Sequence, residues 1–337
     1  MSKILLAHGS GGKLMHDLIE KEILKRFANP FLSPLGDSAV FNLGKQKFAF
    51  TTDSYVVKPI FFPGGDIGKL AVYGTVNDLS VVGAKPLYIS CGLILEEGIE
   101  TDTLDRILSS MEEAAKIANV EVVTGDIKVV EKGSADKIFI NTSGIGIIKN
   151  NYELSMKKIK KGDKIIINGS IGDHGTAVMS ERMNLKVTSS LESDCAPLWN
   201  LVEKILNTTD KGGNHLKFMR DPTRGGLATT LNEIVAKTNL GILIKEEDIP
   251  VKDEVKGICE LLGLDPLYVA NEGKVVIVAS ADSAEKILKT MKKDELGKEA
   301  CIIGEIIDQP KKVILETVIG GRRIVDLLTG EQLPRIC

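Results

Sequence analysis

The sequence has no Cys-x-x-Cys pair: its five cysteines, Cys91, Cys195, Cys259, Cys301 and Cys337, are an odd number and lie far apart. That spacing excludes a disulfide framework and a zinc ribbon, and it suits a reducing cytosol. Long apolar runs are missing as well. Before His8 only the run Ile4 to Ala7 is apolar, too short for the core of a secretion signal, and no later run approaches the length of a membrane span. A soluble, cytoplasmic protein with no membrane partner is expected. Nor is there a basic stripe. Lys and Arg are interspersed among Asp and Glu at a formal net charge of -3, which argues against a nucleic-acid partner. A Walker A loop is also absent, because Gly9-Ser10-Gly11-Gly12-Lys13 does not fit the Gly-x-x-x-x-Gly-Lys spacing.

What is present is a chain of 337 residues with 43% hydrophobic content, enough for two cores. Strands and helices alternate irregularly, and strands pair early, near Val40 and Phe48. This favours an α+β fold with mixed or antiparallel sheets and flanking helices over a doubly wound parallel sheet. The polar, lysine-rich stretch from Asn150 to Lys161 reads as a linker. It divides the chain into a first domain (1–152), a second α/β domain (153–328) and a C-terminal arm (329–337).

In the first half the glycine-rich turn opens a segment with apolar residues at Leu14, Leu18, Ile23 and Phe27, which predicts an amphipathic helix. Backbone amides and Lys13 there suit phosphate oxygens, and they equally suit an ordinary turn. Acids then recur at special places. Asp37 sits in the turn Gly36-Asp37-Ser38-Ala39, and Asp53 ends the alternating strand Lys47–Thr52. Asn77 and Asp78 lie inside the helical pattern Asp66–Val82, which is apolar on most sides. A buried carboxylate is costly unless paired or bound to a metal. The strand Val120–Val123 leads into Thr124-Gly125-Asp126-Ile127-Lys128, a fourth acid at the end of an element. Hard oxygen ligands of this kind suit Mg²⁺ bridging nucleotide phosphates, although spacing alone does not bring them together.

The second half opens with the strand Lys164–Ile167, followed by a loop holding Gly172-Asp173-His174-Gly175. His174 reads as a binding-loop residue or a local cap. Arg220-Asp221-Pro222-Thr223-Arg224-Gly225-Gly226 precedes a helix and either binds an anion or turns the chain. Asn271-Glu272-Gly273 stands just before the strand Lys274–Val278, and a helix over Ala281–Met291 and a strand over Ala300–Ile307 follow. At the end Pro334 opposes helical continuation, so the last residues form an extended arm. One thiolate without neighbouring Cys or His is too few ligands for a metal, which leaves Cys337 as a carrier or nucleophile.

The segments around Lys13, Asp37, Asp53, Asp78, Asp126, His174, Asp221 and Glu272 together resemble the PurM-like superfamily, which includes aminoimidazole ribonucleotide synthetase, selenophosphate synthetase and thiamine-monophosphate kinase. Pro334-Arg335-Ile336-Cys337, joined to Gly-Asp-His-Gly, is similar to the HypE family of hydrogenase maturation factors in particular. One departure is Ile127, where the family pattern leads us to expect threonine before Lys128. The resemblance implies a two-domain fold, a homodimer through the first domains, and ATP bound with Mg²⁺ on Asp37, Asp53, Asp78 and Asp126. Lys13, Asn77 and Gly125 join that nucleotide site. It also implies that Cys337 receives a carbamoyl group from the carbamoyltransferase HypF. ATP then drives dehydration of this S-carboxamide to a thiocyanate, and the cyano group passes to iron on the HypC–HypD complex. Lys13 or Lys128 would neutralise charge, and Glu272 or His174 would remove the N–H proton. Glu272 is preferred, since a closed site raises a carboxylate pKa toward neutrality. Cys337 must visit both partners and site, so the arm is expected to take two positions, with Gly330 as hinge and Pro334 limiting its freedom. The alternatives are a synthetase or kinase acting on a free small molecule, and a nucleotide-bound scaffold.

Overall fold

The computed structural model describes residues 3–9, 11–149, 153–185, 191–208, 215–328, 333 and 335–337. The linker's first residues, Gly330 and Pro334 lie outside these described residues.

In the first half, α1 (Lys13–Leu18) runs through a π-type turn (Ile19–Leu24) into α2 (Lys25–Phe27), and then β1 (Ala39–Leu43), β2 (Gln46–Tyr55), and the small hairpin β3 (Phe61–Phe62) and β4 (Gly65–Asp66) follow. Next come α3 (Ile67–Val81), β5 (Lys85–Glu96), α4 (Thr101–Ala118), β6 (Glu121–Val130) and β7 (Ile138–Ile148). Five strands form one sheet in the order β1-β2-β7-β5-β6, antiparallel except for the parallel β5–β6 pair. Its strands alternate. Ala49, Thr51 and Tyr55 of β2 are buried while Phe50, Thr52 and Ser54 are exposed, the period-2 signature of a sheet covered on one face. The cover is α3, which packs on β2, β5 and β7, with α4 against it and the second-half helix Trp199–Thr208 touching it. That sandwiching is why α3 is apolar nearly all round. Asp66 caps it, accepting at Oδ1 from the amides of Gly68 (2.7 Å) and Lys69 (3.0 Å). By contrast α4 buries one stripe, Ile107, Met111, Ala114, Ala115 and Ala118.

The expected helix after the glycine-rich turn is present, yet none of the residues of α1 or α2 is buried, and Ile23 and Phe27 are exposed. Leu14 and Leu18 are half-covered, whereas Ile23 and Phe27 find no cover among the described residues of one chain. The second correction concerns β6. The strand does not end at Thr124; pairing with β5 carries it on to Val130, so Gly125, Asp126 and Lys128 lie mid-strand.

The second half contains β8 (Lys164–Ile167), α5 (Asp173–Arg182), α6 (Trp199–Thr208), β9 (Leu216–Arg220), α7 (Gly226–Thr238), β10 (Gly241–Lys245), α8 (Asp253–Leu262), β11 (Val276–Ala279), α9 (Ala281–Met291), β12 (Cys301–Ile307), β13 (Val313–Glu316) and β14 (Arg322–Ile324). Seven strands are ordered β14-β13-β10-β12-β8-β11-β9. Here both faces are covered. Ile165 and Ile167 face a core with Leu227, Leu231 and Ile234 of α7, while Ile166 faces Val202, Ile205 and the α9 residue Ile287. Strands buried on both sides read as unbroken apolar runs, which β8 and β11 do.

Candidate active site

The ends of β2, α3 and β9 and the start of α7 meet where the halves touch. They enclose a cavity of about 180 Å³ lined by Asp37, Asp53, Asp78, Arg220, Asp221, Arg224, Glu272 and Cys337, among others. Carboxylate oxygens of Asp37, Asp78 and Asp221 lie within 4.8 Å of one another. The Thr51 hydroxyl sits 2.8 Å from both the Asp37 carbonyl and Asp78 Oδ2, holding turn, strand and helix in register. Like charges out of water repel, so all three acids are pushed above the usual carboxylate range. Burial is the main cause for each, and Asp221 reaches about 7. Arg220 offsets part of this, pairing with Asp37 (3.1 Å) and with Glu233 (2.9 Å), while Arg224 stands 3.7 Å from Asp53. The arrangement is short of positive charge, and hard oxygens at this separation fit a divalent cation such as Mg²⁺.

Backbone close approach builds the walls. Gly11 lies so near Arg224 that a side chain on it would strike the Arg224 carbonyl, and a side chain on Gly226 would strike the carbonyls of Leu267 and Val269. Asn271 ties three loops together: its Oδ1 accepts from the Gly172 amide (2.7 Å), and its Nδ2 donates to the Pro222 (2.9 Å) and Val269 (3.1 Å) carbonyls. Next to it Glu272 is buried, with Oε1 lacking a hydrogen-bond partner among the described residues. Burial, then the charges of Asp221 and Asp194, push its pKa well above the ordinary range. Asp194 supports this turn by accepting from the amides of Glu272 and Gly273 and pairing with Lys274 (3.1 Å). Burial alone would raise Asp194, but the Lys274 charge and the hydrogen bond from the Glu272 amide help to bring it below the usual range.

The terminal residues are docked. Ile336 and Cys337 are buried in the core of the first half, and the Val56 amide donates to the Cys337 carbonyl (3.0 Å). Burial raises the Cys337 thiol to about 12, opposed by Arg224. His174 is fully buried between Ser193 Oγ (2.8 Å from Nδ1) and the Ile336 carbonyl (2.9 Å from Nε2). A carbonyl only accepts, so Nε2 carries the proton and Nδ1 receives the Ser193 hydroxyl. Burial lowers its pKa, keeping the ring neutral. His174 therefore holds the arm rather than offering a free base.

Several expected site residues lie elsewhere. Asn77 spends its amide on the protein, donating to the Ala196 (3.0 Å) and Glu272 (2.9 Å) carbonyls and accepting from the Leu198 amide (2.8 Å), so no donor is left for a nucleotide. Lys13 is exposed and does not line the cavity. Gly125 packs against the Cys91 carbonyl, where a side chain would clash. Asp126 pairs with Lys128 (2.5 Å) on the bare face of the sheet, opposite the face Asp53 uses. It is three strand spacings from β2, roughly 14 Å. Within one chain Asp126 and Lys128 do not join the cluster. Asp221 takes that place, and its sequence signal was the Arg-Asp-Pro-Thr-Arg stretch, which offered an anion site or a turn rather than a ligand.

The first half matches the AIR synthase related protein N-terminal domain over residues 35–148, and the second matches its C-terminal domain over 160–316. The chain is 49% identical to the carbamoyl dehydratase HypE of Bradyrhizobium diazoefficiens over 333 residues, 98% of this chain and 95% of that protein. It superimposes on HypE from a HypE–HypF complex with a TM-score of 0.87 at 51% identity, covering 92% of this chain and 99% of the other. With HypE in complex with ATP the TM-score is 0.82 at 46% identity, covering 99% and 100%. An AIR synthase related fold whose acidic cavity holds a terminal cysteine, with relatives this close over nearly its full length, belongs to the HypE family of carbamoyl dehydratases that serve hydrogenase maturation.

Proposed function

We propose that this chain uses ATP to dehydrate an S-carboxamide on its own Cys337 to a thiocyanate, the source of the cyano group for hydrogenase iron. The observation that carries the reading is the docked Cys337, which lines one cavity with the three-acid cluster, Arg224 and Glu272. The amide oxygen of the carboxamide attacks the γ-phosphorus of ATP, releasing ADP and leaving phosphate on that oxygen. The O-phosphorylated amide is cationic at nitrogen and gives up a first N–H proton to a phosphate oxygen, forming the neutral imidate; loss of the second N–H proton with expulsion of phosphate then forms the nitrile. Mg²⁺ held by Asp37, Asp78 and Asp221, with Asp53 beside them, would neutralise phosphate charge. Arg220 and Arg224 supply further fixed positive charge at the cavity. Glu272 takes the second N–H proton, the one lost as phosphate leaves: its Oε1 has no partner among the described residues, and its raised pKa makes it a stronger base than an exposed carboxylate.

The partners follow from the same chemistry. A docked thiol held near 12 is a poor nucleophile, so the carbamoyl group is taken up with the arm outside, from HypF, and the cyano group is surrendered to HypC–HypD. A homodimer through the first halves is supported by the bare face of the five-stranded sheet, where Phe50, Tyr88 and Ile94 are exposed, and by exposed Val122, Val123, Ile127 and Val129 on edge strand β6. Such a dimer is the route by which Asp126 and Lys128 of one copy reach the phosphates in the other.

Protein carbamoylated on Cys337 is mixed with Mg·ATP, and the mass of its terminal peptide is read. Loss of one water is expected in the wild type and not in Glu272→Gln. Unchanged mass in the wild type rejects the dehydration.

A further inference from the structure

The last residues do more than fill a space: they run antiparallel to the segment 56–58 and pair with it through the backbone. The Lys58 amide donates to the Arg335 carbonyl (3.2 Å) and the Val56 amide to the Cys337 carbonyl (3.0 Å), while the intervening Ile336 carbonyl faces His174. In such a pairing a slip of one residue reverses every side chain. Ile336 would then face the reacting groups, and Cys337 would turn away from them. Two backbone bonds do not choose between registers, because any residue supplies them.

Arg335 supplies what the backbone lacks. Its Nε donates to the Val56 carbonyl (2.9 Å), its Nη1 donates to Asp136 Oδ2 (2.8 Å), and its guanidinium lies 5.7 Å from the Phe139 ring centroid. Its backbone adopts a left-handed conformation (φ 50°), unusual for a residue with a side chain, so the contacts at this position hold a turn that the chain would not choose alone. Arg182 spans both segments, with Nη2 donating to the Arg335 carbonyl (2.7 Å) and Nε to the Lys58 carbonyl (2.6 Å). Asp136 has a second cation. Lys58 Nζ lies 2.8 Å from the same Oδ2, and Lys58 and Arg335 together hold Asp136 below the usual carboxylate range.

We propose that Arg335 and Asp136 are positioning residues for the reaction at Cys337, their ion pair fixing the register in which the terminal segment docks. Lys58 is the exchange partner that keeps Asp136 paired when the segment leaves. A lone Asp136–Arg335 pair would leave a half-buried carboxylate unpaired on release, and shared pairing removes that cost. The latch is thus specific in register and easily opened.

The inference rests on Cys337 being the reacting residue, and the test separates the two. The first readout is alkylation of the Cys337 thiol by iodoacetamide in ligand-free full-length protein, followed by mass spectrometry with Cys195 and Cys259 as buried controls. Arg335→Ala and Asp136→Asn are expected to speed labelling about five- to tenfold, as for loss of a charge-assisted pair, while Arg335→Lys stays within about threefold of wild type. Raising salt should speed labelling of the wild type and not of Asp136→Asn, since only a charge pair is screened. Lys58→Gln should slow it. Unchanged labelling in Arg335→Ala and Asp136→Asn overturns the latch, and unchanged labelling in Lys58→Gln overturns the exchange. The second readout is water loss from carbamoylated protein in one turnover, expected to slow in Arg335→Ala and to recover in Arg335→Lys. Labelling that shifts as expected, with no water loss even in the wild type, refutes the dehydration and leaves the latch standing.

Discussion

The two sheets obey different rules of burial. Ile165, Ile166 and Ile167 of β8 are all fully buried, because helices cover both faces of the seven-stranded sheet. In β5 of the five-stranded sheet, buried Ile89 and Leu93 alternate with exposed Tyr88 and Ile94. One sheet is buried on both faces, and the other leaves Phe50, Tyr88 and Ile94 exposed on one face beside Thr52 and Ser54. Equal hydrophobicity in a strand therefore has two meanings, which only the neighbours decide.

The largest effect should come from Ile166→Asp. An unpaired carboxylate at this site is expected to cost about 4 kcal/mol or more, enough to prevent folding, and urea melts or the yield of folded protein would read it. The same change on the bare face, Ile94→Asp, should leave the unfolding free energy of one protomer within about 0.5 kcal/mol. It should instead convert the proposed dimer to monomer in light scattering. A dimer that survives Ile94→Asp removes this face as the interface, and equal destabilisation by both changes would erase the contrast between the sheets.

A smaller effect than that of Ile166→Asp lies at the seam, where Asp221 at the end of β9 meets Asp78 of α3. Folding raises Asp221 to about 7, through burial and then Asp37. Unfolded, it titrates near an ordinary carboxylate, about 3.9. Between these values the folded state holds a proton that the unfolded state has lost, so stability falls as pH rises through that window. Ligand-free protein should therefore be more stable at pH 5 than at pH 7.5, and Asp221→Asn should remove about 1–2 kcal/mol of that difference in urea melts. An identical pH slope in the variant would show that Asp221 is not a source of the strain.

Local pattern made much of the fold legible. The apolar run Lys164–Ile167 and the helix Ala281–Met291 are found where periodicity puts them, because their burial is set by elements on every side. Thr124-Gly125-Asp126 was misplaced at a strand end because pairing with β5, a contact distant in sequence, extends β6. Asp37, Asp53 and Asp78 were readable as acids in costly places, and the cavity does gather them. Asp221 was not readable as their companion, since a carboxylate before Pro-Thr-Arg-Gly-Gly looks the same whether it starts a helix or faces other acids. Nor does spacing reveal that the Asn77 amide is consumed by the protein or that His174 grips the Ile336 carbonyl.

That Asn77 amide has a further consequence. One side chain in the middle of a buried helix of the first half fastens three backbone groups of the second, at Ala196, Leu198 and Glu272. Separating the halves would strand all of them at once in an apolar interior. The cleft is thus a poor hinge, and the amide hydrogen of Leu198 should exchange with solvent only when the whole molecule opens. With walls this still, the proposed reaction requires the terminal residues, and not the cleft, to be the part that moves.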